Sequence, residues 1–181
     1  MQDKIIIVGL SELNKLDIAR ELIRRNDNLS IAPHFTSNQE YKSQGDVNDN
    51  YIYYLDNATI SLAFKNNSLL YVMTDGYIST GVTTDDYYNN DIVCIDIVDF
   101  NNIPDRYFSK KDQNLIIWVD SRTHKHINST EMLEIRYLQE RLDTLSYIYF
   151  LDDTIDNICT CILEYLDASE DRRREIIEDN M

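Results

Sequence analysis

The chain has 181 residues, with 32 acidic against 17 basic side chains and a formal net charge of −15, a sign that excludes nucleic acid and anionic membranes as natural partners. It is 43% hydrophobic with 13 Tyr but only 4 Gly and 2 Pro, which excludes intrinsic disorder and leaves enough chain to bury one sizeable core. Three cysteines, Cys94, Cys159 and Cys161, give no disulfide framework, and no run nears the roughly 20 apolar residues of a membrane crossing.

Lys4-Ile5-Ile6-Ile7-Val8 is an unalternated β-branched run, the pattern of a strand buried on both faces of a parallel sheet. It ends at Gly9. Lys15 to Arg25 follows as a helix with Leu16, Ala19, Leu22 and Ile23 on its apolar stripe, which makes the first half of a βαβ unit. Leu29 to Ala32 reads as a short strand closed by Pro33, Asn38 to Asn50 as a polar loop, and Tyr51 to Leu55 as a strand. Asp56 or Asn57 caps a short helix through Phe64; Leu69 to Met73 is a strand, and Asp75-Gly76 a turn. Thr84-Asp85-Asp86 and Asn90-Asp91 read as acidic loops. Ile92 to Val98 and Leu115 to Val119 are again unalternated strand runs.

Asn128 with Glu131 three residues on is a capping-box start for a helix carrying Met132, Ile135, Leu138, Leu142 and Leu145 on one face. Tyr147 to Leu151 is the last strand. Asp152 or Asp153 caps a helix with Ile155, Ile158, Ile162 and Leu166 inward, and Ser169 to Met181 is a helical extension or frayed tail. The order is α/β with a mainly parallel sheet.

In such folds ligands bind beyond the carboxyl ends of the strands, so the loop Gly9-Leu10-Ser11-Glu12-Leu13-Asn14-Lys15-Leu16 is the place to look. A phosphate-binding loop needs Gly, four residues, Gly, Lys and a hydroxyl residue. Gly9 and Lys15 fall at that spacing. Asn14 stands for the second glycine, Leu16 for the hydroxyl, and Glu12 adds a negative charge where phosphates would sit. Taken alone, a Gly and a Lys six apart describe an ordinary strand-to-helix loop.

The layout of the whole chain resembles the guanylate kinase family. Leu29 to Gln39 occupies the place of the family's Ser-x-Ser-x-Thr-Thr-Arg-x-x-Arg segment, and Asn50-Tyr51-Ile52-Tyr53 that of its Asp-Tyr-x-Phe strand. Leu69 to Gly81, Asp96-Ile97-Val98, and Tyr147 to Asp153 match later family segments. The resemblance implies a P-loop, guanylate-kinase-like three-layer α/β fold, with a mainly parallel sheet and a small inserted β-rich lobe. It also implies a single domain over 1–181, the substrate-type lobe at 33–90, a shortened lid at 120–131 and a C-terminal extension at 169–181.

By the same resemblance Gly9, Ser11, Asn14 and Lys15 are the vestige of a phosphate loop. Tyr51, Tyr71, Thr80 and Gly81 are the vestige of a monophosphate lobe, and Lys15 and Asp96 are vestigial catalytic positions. Thr36 and Gln39 stand where two monophosphate-binding arginines are expected, Tyr71 where a base-reading Glu is, Thr80 for a phosphate-contacting Tyr, and Val98 for a second Asp. The lid cations on offer are Arg122, Lys125, Arg136 and Arg141. Phosphoryl transfer is positioning plus cancellation of negative charge, and this set of replacements removes the cancelling charges.

His124, His126, Cys159 and Cys161 are weighed as zinc ligands and set aside, since i and i+2 on a helix face different ways; no metal is expected. Cys94 reads as a small core hydrophobe. Tyr41, Tyr51, Tyr53, Tyr54, Tyr71, Tyr77, Tyr87 and Tyr88 crowd the lobe. Strand tyrosines pack on a sheet surface, but they also make partner faces, for which Tyr53, Tyr54, Tyr77, Tyr87 and Tyr88 are the candidates.

The leading expectation is a catalytically inactive guanylate-kinase-like protein acting through a protein partner or a second copy of itself, without a cofactor. Its rivals are a divergent nucleoside monophosphate kinase using ATP and Mg, and a nucleotide sensor. Met1 to Lys4 does not open a signal peptide, so the expected location is cytoplasmic. The Ile, Asn, Asp, Tyr and Lys skew points to an AT-rich genome, such as that of a large DNA virus, a phage or a protist; for a viral protein the place of action is the host cytoplasm or the virion.

Overall fold

Two largely β-branched and aliphatic runs with no polar alternation, Ile5 to Val8 and Leu115 to Val119, form the centre of the main sheet, because strands covered on both faces have no side to give to water. The computed structural model describes residues 4–10, 15–44, 50–108, 114–120, 128–143 and 145–180, and the chain divides into two compact units. One holds residues up to Leu29 and from Cys94 onward, and the other Ser30–Val93.

The main sheet is parallel and four-stranded, ordered β6-β1-β7-β8, from β1 (Lys4–Gly9), β6 (Ile92–Asp96, which enters the first unit at Cys94), β7 (Asn114–Asp120) and β8 (Tyr147–Leu151). β1 runs in register with β7 from Lys4 opposite Asn114 to Val8 opposite Trp118. Ile5, Ile6, Ile7, Val8, Leu115, Ile116 and Ile117 are all fully buried, each worth about 1.5–3 kcal/mol relative to exposure. Helix α1 (Lys15–Arg25) packs on α6 (Ile155–Asp167), and α4 (Ile97–Asn102) on α5 (Ser129–Leu142).

The local signals explain most boundaries. Asn128 and Glu131 form the expected capping box, the Asn128 side chain accepting from the Glu131 amide and Glu131 accepting from the Asn128 amide, both at 2.9 Å. Ile135, Leu138 and Leu142 are buried, while Met132, in the first turn, is exposed. The last long helix is capped by Thr154, whose hydroxyl accepts from the Asn157 amide, and not by Asp152 or Asp153. The tail is ordered helix: α7 (Glu170–Asp179) is capped by Ser169 and buries Ile176. Beyond it the Asn180 carbonyl accepts from the Tyr149 amide at 2.8 Å, on β8.

Ile92 to Val98 is a strand only to Asp96, since Ile97 already opens α4. Leu29 to Ala32 forms a single parallel bridge, Ile31 with Ile92, rather than a strand.

The second unit is a four-stranded mixed sheet ordered β3-β2-β5-β4, from β2 (His34–Thr36), β3 (Ile52–Tyr54), β4 (Leu69–Asp75) and β5 (Ile78–Thr83). β2 and β3 are parallel; β5 runs antiparallel to β2 and to β4. Helix α2 (Asn57–Lys65), capped by Asp56, contributes Ile60 to a small core with Phe35 and Leu69. The expected loop at 38–50 begins with a 3-10 helix, Gln39–Gln44. Thr84-Asp85-Asp86 is helix α3 (Thr84–Asn89), because the Thr83 hydroxyl caps it by accepting from the Asp86 amide.

Candidate functional site

β1 and β6 are neighbours in the sheet, so their carboxyl ends bring the start of α1 beside the start of α4. Lys15 opens α1 and is buried, at 6% exposure. Its ammonium lies 2.6 Å from Asp96 Oδ1, and it donates to the Leu10 carbonyl at 2.7 Å and to the Gly9 carbonyl at 3.5 Å. The lysine is thus folded back on the strand end it follows. Asp96 keeps about a third of its side chain exposed. The side chain of Leu16, next along, is hydrocarbon and cannot hold a cation.

Two further groups close the cluster. Cys94, partly exposed, donates from Sγ to the Lys15 carbonyl at 3.5 Å, and burial pushes its thiol up to about 12, which disfavours the thiolate. Asp99 is 7% exposed. Burial, and then the charge of Asp96, pushes its carboxyl up to about 6, against the pull of Lys15. Asp99 was not read from the sequence as part of any site. Its signal was the Asp96-x-x-Asp99 spacing at a strand end, which becomes one helical turn once Ile97 starts α4.

Ser11 and Asn14 of the expected phosphate loop, with Glu12, lie outside the described residues, as do Arg122, Lys125, His124 and His126. Arg136 is an exposed partner of Glu140. Arg141 is committed elsewhere: its guanidinium donates to the Phe100 and Ile103 carbonyls, pairs with Asp105 at 2.9 Å and stacks 4.8 Å from the rings of Phe100 and Phe108. Among the described residues no group of three or more His, Cys, Asp or Glu is placed to hold a metal. Cys159 is buried, with its thiol pushed up to about 11 by burial.

In the second unit the lobe residues are brought together around β2. Tyr71 is buried, with its hydroxyl 3.4 Å from His34 Nδ1 and the two rings edge to face. Tyr51 holds a left-handed backbone at φ +57 while its carbonyl accepts from the His34 amide at 2.7 Å. Thr80 lies opposite Thr36. Gly81 is required by close approach: a Cβ there would meet the Tyr71 carbonyl oxygen at 2.3 Å and Phe35 Cζ at 2.8 Å. Thr36 is buried and accepts from the Asn38 amide, and Gln39 donates to the Tyr54 hydroxyl. The positions where the resemblance puts two arginines therefore carry neutral side chains with local partners.

Of the tyrosines considered for a partner face, Tyr87 is buried. Tyr53 donates to Asp86 at 2.7 Å, with its phenol pushed above the ordinary range by burial. Tyr54 is half-buried, whereas Tyr88 and Tyr77 are exposed, the latter at 98%.

No protein-family model matches the chain, and no curated protein matches it by sequence. Its structure is similar to the guanylate kinase from Anaplasma phagocytophilum, with a TM-score of 0.56 at 12% identity, over 91% of this chain and 85% of that one. The chain has a guanylate-kinase-like fold.

Proposed function

We propose that this chain uses a guanylate-kinase-like fold as a protein-binding module and does not transfer phosphate. The observation that carries the reading is the state of Lys15: its charge is answered by Asp96 at 2.6 Å and its remaining donors are directed at the chain's own carbonyls. A phosphate would have to displace Asp96 to use it. Removing one donor from a transition state of developing charge typically costs ~3 kcal/mol, and here Leu16, Thr36 and Gln39 supply no replacement. The described residues do not fit a magnesium nucleotide: Lys15 is held by Asp96 and the Gly9 and Leu10 carbonyls, and the Leu16 side chain offers no metal ligand. The partner is a protein, or a second copy of the chain, met in the cytoplasm or, for a viral protein, in the host cytoplasm or virion.

The second reading, a nucleoside monophosphate kinase acting on ATP and GMP, draws on the fold likeness and on Lys15 opening the helix after the first strand. A third, a nucleotide sensor, binds without turnover. Calorimetry with ATP–Mg, GMP and dTMP, alongside a coupled turnover assay, separates the three. The expected result is neither micromolar binding nor turnover. Turnover abolished by Lys15→Ala establishes the kinase, and binding without turnover establishes the sensor.

A further inference from the structure

β4 and β5 join through Gly76-Tyr77, a two-residue turn with Gly76 at φ +59 and Asp75 facing Ile78. Beyond Ser79, toward the turn, the hairpin has no further partner on the β2 side among the described residues. Met73, Thr74, Asp75, Tyr77 and Ile78 are all exposed. β4 ends the strand order, and among the described residues it pairs with β5 alone.

The hydrogen bonds fix which groups look outward. Ser79, opposite Thr74, spends its backbone on the other side: its amide donates to Ser37 Oγ and its carbonyl accepts from the Ser37 amide, both at 2.8 Å. Ser79 and Thr74 are therefore a pair without mutual ladder bonds, joined instead by a hydroxyl contact at 3.1 Å. The Thr74 amide and carbonyl, and by alternation those of Val72, face the outer edge of β4. An edge of this kind is a template for an added strand. Natural sheets blunt such edges with charges, Pro or bulges; Leu69-Leu70-Tyr71-Val72-Met73-Thr74-Asp75 holds no Lys or Pro, and its register shift, between Leu69 and Tyr71, precedes the outward groups of Val72 and Thr74.

Charge selects what would add. The stretch Ser30–Val93 carries eight acidic residues, no arginine and two lysines, Lys42 and Lys65. Asp75 lies on β4 itself, and exposed Asp85 on α3, which packs against β4. A second copy of this chain would bring the same negative charge to the same edge, whereas a cationic strand would neutralise it.

We propose that the outer edge of β4 is a docking edge for an extended basic segment of a protein partner, which adds to the mixed sheet as a further strand. The inference rests on the protein-binding reading above and names the chemistry of its partner. Main-chain bonds to Val72 and Thr74 supply the pairing, and lysine or arginine side chains answer Asp75 and its neighbours.

The test is an amide-resolved NMR titration of the full chain with the probe peptide Lys-Val-Lys-Val-Lys-Val-Lys, and with its Glu-for-Lys counterpart. Saturable shifts of the Leu69–Asp75 and β5 amides with the basic peptide are expected, with none from the acidic one. Thr74→Pro removes an outward donor without touching the β4–β5 ladder and should weaken binding at least tenfold. Asp75→Lys should weaken it several-fold, with circular dichroism confirming that both variants fold. No saturable binding, shifts that map away from β4, or a Thr74→Pro variant that binds like the parent overturns the proposal. So does a dimer by sedimentation that Thr74→Pro dissociates, since the edge then belongs to a second copy. If the peptide fails and turnover of ATP and GMP is also absent, only this inference falls; if turnover is present, the protein-binding reading falls with it.

Discussion

Lys15 and Asp96 form an ion pair of 2.6 Å that ties the first turn of α1 to the end of β6. It joins residues 81 positions apart across adjacent strands, and its two charges act in opposite senses on the nearby Cys94 and Asp99.

Breaking the pair from the carboxylate side leaves a buried ammonium with carbonyls alone. Asp96→Asn should lower stability by about 1–3 kcal/mol in urea unfolding, below the cost of a wholly buried pair because Asp96 is partly solvated. Lys15→Met, which keeps the stem packing, should cost less than Asp96→Asn, since the orphaned carboxylate can reach water. An Asp96→Asn variant as stable as the parent would mean that the pair contributes nothing net.

Asp99 gives the opposite pH dependence from an ordinary paired carboxylate. Its folded pKa, about 6, lies above the unfolded value near 3.8, so between those values the folded state holds more protons than the unfolded one. Stability then falls as pH rises through that window, and the penalty is complete above the folded pKa. Asp99→Asn should remove it, raising stability at pH 7.5 by about 1–3 kcal/mol while leaving pH 4 nearly unchanged. Paired urea melts across pH 4–7.5 check this. Equal gains at both ends would assign the effect to packing instead.

The two helical arginines of α5 should behave unlike each other. Arg136, exposed beside Glu140, should lose under about 0.5 kcal/mol as Arg136→Met. Arg141→Met removes the donors to two backbone carbonyls, at Phe100 and Ile103, together with the Asp105 pair and two ring contacts. It should cost about 2–4 kcal/mol by thermal or urea unfolding.

Gly81→Ala places a methyl 2.3 Å from a backbone oxygen that has little room to retreat. The expected loss is about 1–3 kcal/mol or more, concentrated in the mixed sheet. Amide exchange would show faster opening of β2, β4 and β5 with β1 and β7 unchanged; uniform loss across both sheets would contradict a local clash.

The main sheet was legible because Ile5 to Val8 and Leu115 to Val119 carry no polar alternation, and a run of that kind fits few places other than a doubly covered strand. The α5 start was legible because Asn128 and Glu131 hold both halves of a local motif. Where several side-chain acceptors stand in a row before a helix, local pattern does not choose among them: Asp152 or Asp153 is the cap expected from sequence, and Thr154, the residue next to the helix, takes the role. Thr84 to Asp86 looked like a solvated loop because its acids were read without the threonine before them. At the site, Lys15 and Asp96 were singled out separately, but their union depends on the order β6-β1 in the sheet, a long-range fact that no local pattern carries. Asp99 was missed for the related reason that its place beside Asp96 exists only once the strand gives way to helix.

The carbonyl of Asn180 meets the amide of Tyr149 on β8. The last turn of the chain thereby acts as a stopper, occupying a bonding position that an incoming strand would otherwise use. β4 has no such stopper among the described residues, so the protein treats its two sheets differently. A strand adding at β8 would first have to displace Asn180, whereas one adding at β4 would meet the outward groups of Val72 and Thr74 directly.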